Sequence, residues 1–369
     1  MAKENDELTL TALKAAIDEE ALSWTAGETS IAALPPAQRR KYLGVKMTEA
    51  QIKTMAATVR QQAQLERGAF EFGTVFAAPA AFDWRNVGSQ DYCGPVKDQG
   101  ACGSCVAFGT CGAIEANMRI KAQNAGFAVD LSEAFLLFCG GGSCSGWGLT
   151  SGLDYAKSAG VTDESCFPYQ AHNMPCTDRC GDWQARLVQI VDYAAHSTME
   201  ARKHAIATVG PVVAGMRVFS DFYYYKSGVY QKSAQATNEG LHCIVVVGYD
   251  DAQAAWIVRN SWGTGWGDSG YCLIGYGQDD VLIDSSFAFY SLTVDVQPQT
   301  GCGAADYVLV DKHFGGAVVL WAYAGGAWRH KVVTDAELAG VAQELFAATR
   351  ADVCWDGDQL TLVRAWKTL

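Results

Sequence analysis

The sequence lacks the features of several common functional classes. It has no basic cluster, and its 28 Lys and Arg residues are outnumbered by 40 Asp and Glu residues, which gives a formal net charge of −12. This balance argues against nucleic acids and anionic membrane surfaces as partners. No apolar run approaches the roughly 18 residues of a membrane span, and no spacing of Cys and His resembles a zinc site. We therefore expect no metal and no other cofactor.

The first residues also lack the apolar run of a secretory signal peptide, because residues 1–7 are polar and acidic. Residues 1–80 contain no cysteine, although the 369-residue chain contains 13. So many cysteines indicate an oxidising compartment and several disulfides. We expect a secreted, periplasmic or lysosome-like protein whose signal peptide has been removed, with cytosolic residence as the alternative. The length exceeds that of one typical domain.

Residues 99–108, with the sequence QGACGSCVAF, place a cysteine at the first turn of an apolar helix. A helix N-terminus carries a partial positive charge and unpaired N–H groups, which stabilise a thiolate. Cys105 is therefore the candidate nucleophile. Because a lone cysteine is more often a small core residue or half of a disulfide, this interpretation depends on partners elsewhere in the chain.

A predicted antiparallel hairpin supplies such partners. Residues 241–249 have the pattern of a β-branched strand, and a turn separates them from a returning strand over residues 254–260. In a symmetric hairpin His242 faces Asn260, and the Cβ atoms of opposed residues lie roughly 5 Å apart. The amide oxygen would then accept a hydrogen bond from the imidazole, although a bulge would break this register. Thiol, imidazole and orienting amide together form an activated nucleophile.

With these partners the sequence resembles a papain-family cysteine protease. Three stretches carry the resemblance: residues 99–108, residues 241–249, and residues 260–271 with the sequence NSWGTGWGDSGY. The last resembles the Asn-Ser-Trp-Gly loop of the family nearly residue for residue. The candidate imidazole and amide lie 137 and 155 residues after the thiol, close to the about 130 to 150 residues that separate them in the family.

The resemblance implies a role for each residue of the site. Cys105 would attack the acyl carbon as a thiolate, and His242 would hold the proton as an imidazolium and later protonate the leaving amine. Asn260 would orient the imidazole, and Trp262 would either cover that contact or serve as an ordinary core residue. Gln99 would donate its side-chain NH₂ to the oxyanion, together with the backbone N–H of the nucleophile.

The substrate cleft departs from the family pattern at two positions. Val106 replaces the aromatic residue that usually follows the nucleophile. Residues 144–149 resemble the substrate-binding Cys-x-Gly-Gly stretch but place Trp147 where the second Gly is expected, so that Trp147 or, after a one-residue shift, Gly148 would pair with the substrate backbone. The resemblance assigns the other substrate contacts to Gly146, Leu149, Gly215, Gly240, Leu241 and Trp262. The pocket walls among them carry no charge, so we expect the pocket to prefer an apolar or aromatic side chain; these walls are Leu149, Gly215, Gly240 and Leu241.

The resemblance also implies disulfides, namely Cys102 with Cys144 and Cys139 with either Cys176 or Cys180. Two further cysteines stand alone near the end of the chain and are expected to pair with each other, Cys302 and Cys354. The remaining ones are unassigned: Cys93, Cys111, Cys166, Cys243 and Cys272. The occluding loop of cathepsin B carries a pair of histidines, whereas His172 has no adjacent second histidine. We therefore expect an endopeptidase rather than a dipeptide-removing exopeptidase.

Residues 1–80 resemble an inhibitory propeptide. Thr48 and Gln51 form a capping box at the start of a predicted helix. That helix carries an apolar stripe of Ile52, Met55, Val59 and Ala63. Residues 24–27, with the sequence WTAG, and residues 43–44 resemble the short prosegment of cathepsin B-like members, which would lie along the cleft and block it. Cleavage would fall near residues 76–81, and an ordinary helical docking domain is the alternative.

The expected fold is α+β, with a papain-like catalytic domain over residues 81–296. Its two lobes would be a helical left lobe and an antiparallel, β-barrel-like right lobe, with the cleft between them. Residues 297–369 have no counterpart in the family, and their pattern predicts a small α+β domain. Strands are expected over residues 307–310, 317–323 and 360–366, with a helix from Thr334. The tryptophans of this tail would pack in its core or bind carbohydrate or peptide, Trp321, Trp328 and Trp355.

The function that these features predict is that of a cysteine endopeptidase, synthesised as a zymogen. Its partners would be a peptide or protein substrate and its own propeptide, and we expect a monomer. The alternative is a papain-fold acyl-transfer enzyme (a ligase) or binding protein in which the C-terminal domain carries recognition. Acyl transfer to an amine uses the same residues as hydrolysis, so the sequence leaves this alternative open.

Overall fold

The computed structural model describes residues 8–71, 78–278, 281–282, 287–294, 301–305, 307–312, 318–324, 327–334, 350–356 and 359–366. The chain divides into two compact units, one of Met1–Ile120 and Ala125–Asp295 and one of Lys121–Asn124 and Val296–Leu369. Within the described ranges, no helix combines the length and the apolarity that a membrane span needs.

The first unit combines helices with one large sheet. Its helices are α1 (Leu10–Glu19), α2 (Pro36–Arg39), α3 (Glu49–Glu71), α4 (Cys105–Lys121), α5 (Ser151–Ser158) and α6 (Met199–Thr208). Its strands are β1 (Trp24–Ala26), β2 (Ala81–Asp83), β3 (Ile190–His196), β4 (Val212–Phe219), β5 (Tyr225–Tyr230), β6 (Asn238–Asp250), β7 (Ala255–Arg259), β8 (Tyr271–Gly275) and β9 (Phe289–Val294). The strand order is β1-β5-β8-β7-β6-β4-β9-β3, with β2 paired to β6. The predicted α+β fold is confirmed.

Helix α4 lies at the centre of this unit, and its residues from Cys105 to Arg119 are all buried. Small residues allow its close approach to the sheet. A Cβ atom added at Gly109 would lie 2.7 Å from Cys243 Sγ on β6, and one at Gly112 would lie 3.3 Å from an Arg259 guanidinium nitrogen on β7. Since real Cβ atoms essentially never show contacts under 3.0 Å and rarely show contacts under 3.4 Å, glycine at these positions lets α4 pack directly against β6 and β7.

The N-terminal segment contacts both edges of the sheet. Strand β1 pairs antiparallel with the edge strand β5, and the buried Trp24 ring packs against Tyr230 with centroids 5.2 Å apart. At the other edge, the Glu66 carboxylate on α3 accepts hydrogen bonds from the Ser197 and Thr198 N–H groups, the latter at 2.7 Å. A carboxylate at this position caps the N-terminus of α6.

The predicted α3 signals are present in the structure. Thr48 N–H donates to Gln51 Oε1 at 2.8 Å, and Gln51 N–H donates to Thr48 Oγ1 at 3.2 Å, which confirms the capping box. Ile52 and Val59 of the predicted apolar stripe are buried, whereas Met55 and Ala63 are half-buried. The helix therefore packs through the face that its sequence periodicity indicates.

Three disulfides cross-link the helical half of the first unit. They are Cys102–Cys144, Cys139–Cys176 and Cys166–Cys180. The first confirms the predicted pair, and the second decides between the two partners expected for Cys139. The free, buried thiols among the described residues are Cys93, Cys105, Cys111, Cys243 and Cys272.

The second unit contains a six-stranded sheet. Its strands are β10 (Gly301–Ala304), β11 (Tyr307–Lys312), β12 (Val318–Ala324), β13 (Ala327–Val333), β14 (Arg350–Asp356) and β15 (Gln359–Trp366), in the order β10-β14-β15-β13-β12-β11. The three predicted strands are present as β11, β12 and β15. Cys302 lies opposite Cys354 in the β10–β14 register, and Cys354 is disulfide-bonded. The helix expected from Thr334 and the tryptophan side chains of this unit lie outside the described residues.

Candidate active site

Cys105 is the first residue of α4 and is fully buried. The loop that precedes it is fixed from two sides. Gly100 N–H donates to Asp98 Oδ1 at 2.8 Å, and Gly103 N–H donates to Cys144 O at 2.9 Å, next to the disulfide of Cys144. Gly100 has a φ of +61°, which suits glycine. The thiol therefore lies at the positive end of the helix, as the sequence predicts.

His242 on β6 and Asn260 just after β7 are joined by a contact of 2.8 Å between Nε2 and Oδ1. The contact was predicted, but the register that predicted it is wrong. Val246 pairs with Val258, a bulge follows, and β7 ends before Asn260. The two residues are therefore not directly opposed, and the amide side chain reaches the imidazole from the segment beyond the strand. Ser261 N–H donates to the same Oδ1 at 2.8 Å and fixes the amide.

The Asn260 contact determines which nitrogen of His242 carries the proton. An amide oxygen only accepts hydrogen bonds, so Nε2 must donate and the neutral ring keeps its lone pair on Nδ1. This Nδ1 is buried and has no hydrogen-bond partner among the described residues. The Trp262 ring lies over the imidazole, with centroids 5.0 Å apart, and is itself fully buried. Nδ1 is therefore available to accept a proton from a thiol.

Gln99 is fixed with its NH₂ group directed into the site. Its Nε2 donates to Tyr42 O at 2.9 Å and to Cys102 O at 2.8 Å, while its Oε1 accepts from Ser261 Oγ at 2.7 Å. Tyr169 OH donates to the main-chain oxygen of Gln99 at 2.7 Å. Sequence reasoning missed Ser261 and Tyr169 as positioning residues. The position of Ser261 directly after the orienting asparagine was the available signal.

Residues 42–46 of the N-terminal segment cross the site between its helical and β halves. Backbone N–H groups of this segment donate to a carbonyl on each side, Leu241 O at 3.3 Å and Trp147 O at 2.7 Å. Gly44 makes the closest approach, because an added Cβ would lie 2.0 Å from Gly103 O. Beneath this segment the thiol, the imidazole and the glutamine amide are fully buried.

Trp147 pairs with the backbone of the N-terminal segment, while its pairing with a substrate stays a prediction. Its N–H donates to Gly44 O at 2.7 Å, so the N-terminal segment pairs with Trp147 and not with Gly148. The indole lies over Gly140, where an added Cβ would be 2.5 Å from the ring. Gly146 has a φ of +113°, and a Cβ there would lie 2.4 Å from Gly44 O. A bulky side chain is tolerated at position 147 because its indole packs over Gly140 and Gly142, which have no side chains.

An apolar cluster lies beside the cleft. A Cβ added at Gly215 would lie 2.9 Å from Leu149 Cδ2 and 3.3 Å from Phe287 Cδ2, and all three residues are buried. Gly240 faces Leu43 of the N-terminal segment, with 3.2 Å between an added Cβ and Leu43 Cδ1. Leu149 and Gly215 thus meet as predicted. Phe287 was missed because it lies outside every motif of the sequence.

Burial changes the acid–base properties of both candidate catalytic groups. It raises the pKa of the Cys105 thiol to about 11, an effect that backbone N–H groups of Cys243 and Gly44 partly offset. It lowers the pKa of His242 to about 4, against the smaller opposing effects of Asn260 and the Tyr42 backbone. Both groups are therefore neutral near pH 7, and an ion pair does not form while the site is covered.

Comparison with known proteins identifies the family. A sequence model described as "Papain family cysteine protease" matches residues 78–290. "Cathepsin B-like CP3" from Giardia intestinalis is 36% identical over 223 residues, which cover 56% of this chain and 73% of that protein. "Digestive cysteine proteinase 1" from Homarus americanus is 37% identical over 216 residues, and "Cathepsin K" from Gallus gallus is 34% identical over 203 residues. The chain spans only 65% and 59% of these last two proteins.

Solved proenzymes share the fold. The procathepsin B S9 of Trypanosoma congolense aligns over 78% of this chain and 99% of its own, with a TM-score of 0.62 and 22% identity. The digestive procathepsin L2 of Tenebrio molitor aligns over 77% of this chain and 89% of its own, with a TM-score of 0.59 and 25% identity. Since the family model matches more than half of the sequence, the chain belongs to the papain family of cysteine proteases.

Proposed function

We propose that this chain is the zymogen of a cysteine endopeptidase, with an inhibitory prosegment over residues 1–80, a catalytic domain over residues 81–296 and an accessory domain over residues 297–369. One observation carries the proposal. Tyr42 O accepts a hydrogen bond from Gln99 Nε2 at 2.9 Å, so a carbonyl of the N-terminal segment occupies the donor that an oxyanion would use. The solved proenzymes of the same fold support an inhibitory role for that segment.

Removal of the prosegment would expose the reactive pair to water and substrate. With water admitted, Cys105 transfers its proton to His242 Nδ1, and the thiolate attacks the carbonyl carbon of a peptide bond. The developing oxyanion accepts hydrogen bonds from Gln99 Nε2 and from the Cys105 N–H. The imidazolium then protonates the leaving amine, and water hydrolyses the acyl-enzyme. Asn260 holds the ring in the required tautomer throughout.

The same geometry supports expectations about substrate and compartment. Trp147 and Leu241 would pair with the substrate backbone as they pair with the prosegment, flanked by Gly146 and Gly148. The apolar walls at Leu149, Gly215 and Phe287 would select an apolar side chain. His172 is the only histidine among residues 166–180, which supports endopeptidase action. The disulfides support a secreted, periplasmic or lysosome-like location.

The test is covalent labelling by an epoxide thiol inhibitor together with peptide hydrolysis, measured before and after removal of the prosegment by acid or protease. We expect both signals to appear as the segment is lost and to be absent in Cys105→Ala. Product analysis with an added amine would separate hydrolysis from acyl transfer. A processed protein that neither labels nor hydrolyses peptides would refute the proposal.

A further inference from the structure

The site contains a second thiol that the proposed mechanism does not use. Cys243 directly follows His242 on β6, is 1% exposed and is free. Successive side chains of a strand point to opposite faces, so the thiol points away from the imidazole and towards α4. There its sulfur lies against Gly109, where an added Cβ would be 2.7 Å away. The helix therefore accommodates this thiol only because position 109 has no side chain.

Cys243 also lies next to the nucleophile. Gly109 follows Cys105 by four residues, so both lie on one face of α4. The main-chain N–H of Cys243 lies close enough to the Cys105 sulfur to lower the pKa of that thiol, and a negative charge on Cys105 raises the pKa of the Cys243 thiol. A cavity of about 20 Å³, lined in part by Phe108, Gly109 and Cys243, adjoins this thiol. Protein interiors contain few such voids, so the Cys243 side chain has free space on one side.

We propose that Cys243 is a resolving thiol, which closes a hydroperoxide-oxidised Cys105 into a reversible Cys105–Cys243 disulfide. The inference rests on the proposed function, because Cys105 meets an oxidant in solution only after the prosegment has left. The disulfide would link the start of α4 to β6 and would occupy the nucleophile. The mature enzyme would thereby lose activity reversibly, because reduction of the disulfide restores the Cys105 thiol.

The oxidation balances with a hydroperoxide as the oxidant. The Cys105 thiolate attacks one peroxide oxygen, the O–O bond breaks, and Cys105 becomes a sulfenic acid while the other oxygen leaves as hydroxide and is protonated. The Cys243 sulfur then attacks the Cys105 sulfur, the S–O bond breaks, and the departing hydroxide takes the proton that Cys243 releases. With hydrogen peroxide, two thiols become one disulfide and the peroxide becomes two molecules of water. Without a resolving thiol, further oxidation yields the irreversible sulfinic acid.

The test compares mature wild type, Cys243→Ala and the control Cys111→Ala, which removes a different buried free thiol, on α4. Each protein is exposed to hydrogen peroxide, treated with a mild thiol reductant and assayed relative to its own starting activity. We expect wild type and Cys111→Ala to recover most activity and Cys243→Ala to recover little. Peptide mass spectrometry of oxidised wild type should show a Cys105–Cys243 link, with the loss of two hydrogen atoms.

Two results would overturn the inference, namely recovery of Cys243→Ala to the same extent as wild type, or no Cys105–Cys243 link in the oxidised wild type. The peptide map uses the unaltered protein and needs no activity, so it decides the question even where the variant folds poorly. Failure of the proposed function gives a different result, because the processed protein would then show no epoxide labelling before any peroxide is added.

Discussion

Substitution of Gly44 by alanine should weaken the latency of the zymogen. The added Cβ would lie 2.0 Å from Gly103 O and 2.4 Å from Gly103 C. Both are backbone atoms next to the Cys102–Cys144 disulfide, so the prosegment must move by more than 1 Å to restore ordinary contact. That shift breaks the two hydrogen bonds of 2.7 Å that Trp147 makes with Gly44 O and with the Lys46 N–H, and the 3.3 Å bond from the segment to Leu241 O.

The three hydrogen bonds give the magnitude of the effect. At about 1 kcal/mol each, their loss destabilises the covered state by about 2–3 kcal/mol. The open fraction should then rise by about 30- to 150-fold, and epoxide labelling of the unprocessed Gly44→Ala protein should accelerate by a similar factor. Gly181→Ala is the matched control, because position 181 is exposed and an added Cβ there meets no atom within 4 Å.

Gly44→Ala also contains an internal control. Because position 44 lies in the segment that processing removes, the mature enzyme from the variant is identical to that from wild type and must have the same kcat/KM. Unfolding midpoints of the unprocessed proteins show whether faster labelling reflects local opening or general instability. If unprocessed Gly44→Ala labels no faster than Gly181→Ala, the prosegment does not cover the site through this close approach, and the reasoning fails.

Three further predictions follow from the same geometry. Asn260→Ala should lower the kcat of the mature enzyme by about 100-fold, because the His242 ring loses its orientation; unchanged kcat would contradict this role. Gly109→Ala should destabilise the protein by about 1–3 kcal/mol through its collision with the Cys243 sulfur, and most of that loss should vanish when Cys243→Ala is added, as thermal unfolding of the single and double variants would show. The pH dependence of zymogen labelling should show a minimum between about pH 6.5 and 9, where the covered site holds a neutral imidazole and a neutral thiol; a monotonic profile would refute it.

The sign of that pH dependence follows from the two shifted groups. Burial in the covered site lowers the pKa of His242 from 6.5, the value of a water-exposed imidazole, to about 4, so between these values a state that exposes the ring to water binds a proton that the covered state does not, and acid favours opening. Burial raises the pKa of Cys105 from 9.0, the value of a water-exposed thiol, to about 11, so between those values a state that exposes the thiol loses a proton that the covered state retains, and base favours opening. The covered state is therefore most stable between the two windows.

Local signals in the sequence predicted which candidate residues come together better than they predicted the geometry of their contacts. The helix that begins at Cys105 and the Thr48–Gln51 capping box depend on neighbours close in sequence, so their residue types suffice to predict them. The contact between His242 and Asn260 was expected for the wrong reason, because hairpin symmetry has no means of anticipating the bulge after Val246. The bulge depends on how β6 packs within the whole sheet.

Other features depend on tertiary contacts that no local pattern encodes. The partner of Cys180 depends on how the loop after Cys166 folds back, and spacing alone allows several pairings. Phe287 lies with Leu149 against Gly215 only because it precedes β9, and β9 pairs with β4, the strand of Gly215. Trp147 departs from the family pattern, yet it keeps the backbone pairing because its indole finds space over Gly140. The sequence shows that Trp147 departs from the family pattern, but only the packing around its indole shows that the backbone pairing is kept.

The covered site argues that latency arises from the exclusion of water and substrate rather than from a distorted active site. His242 Nε2 already lies 2.8 Å from Asn260 Oδ1, and Ser261 already fixes the Gln99 amide at 2.7 Å. What the covered site lacks is the charge separation between thiolate and imidazolium, which burial disfavours for both groups. Activation then requires only that residues 42–46 leave, since the residues that orient His242 and Gln99 are Asn260 and Ser261, which directly follow β7. If the mature enzyme keeps the His242–Asn260 and Ser261–Gln99 contacts unchanged and its thiol is reactive, access of solvent alone has activated it.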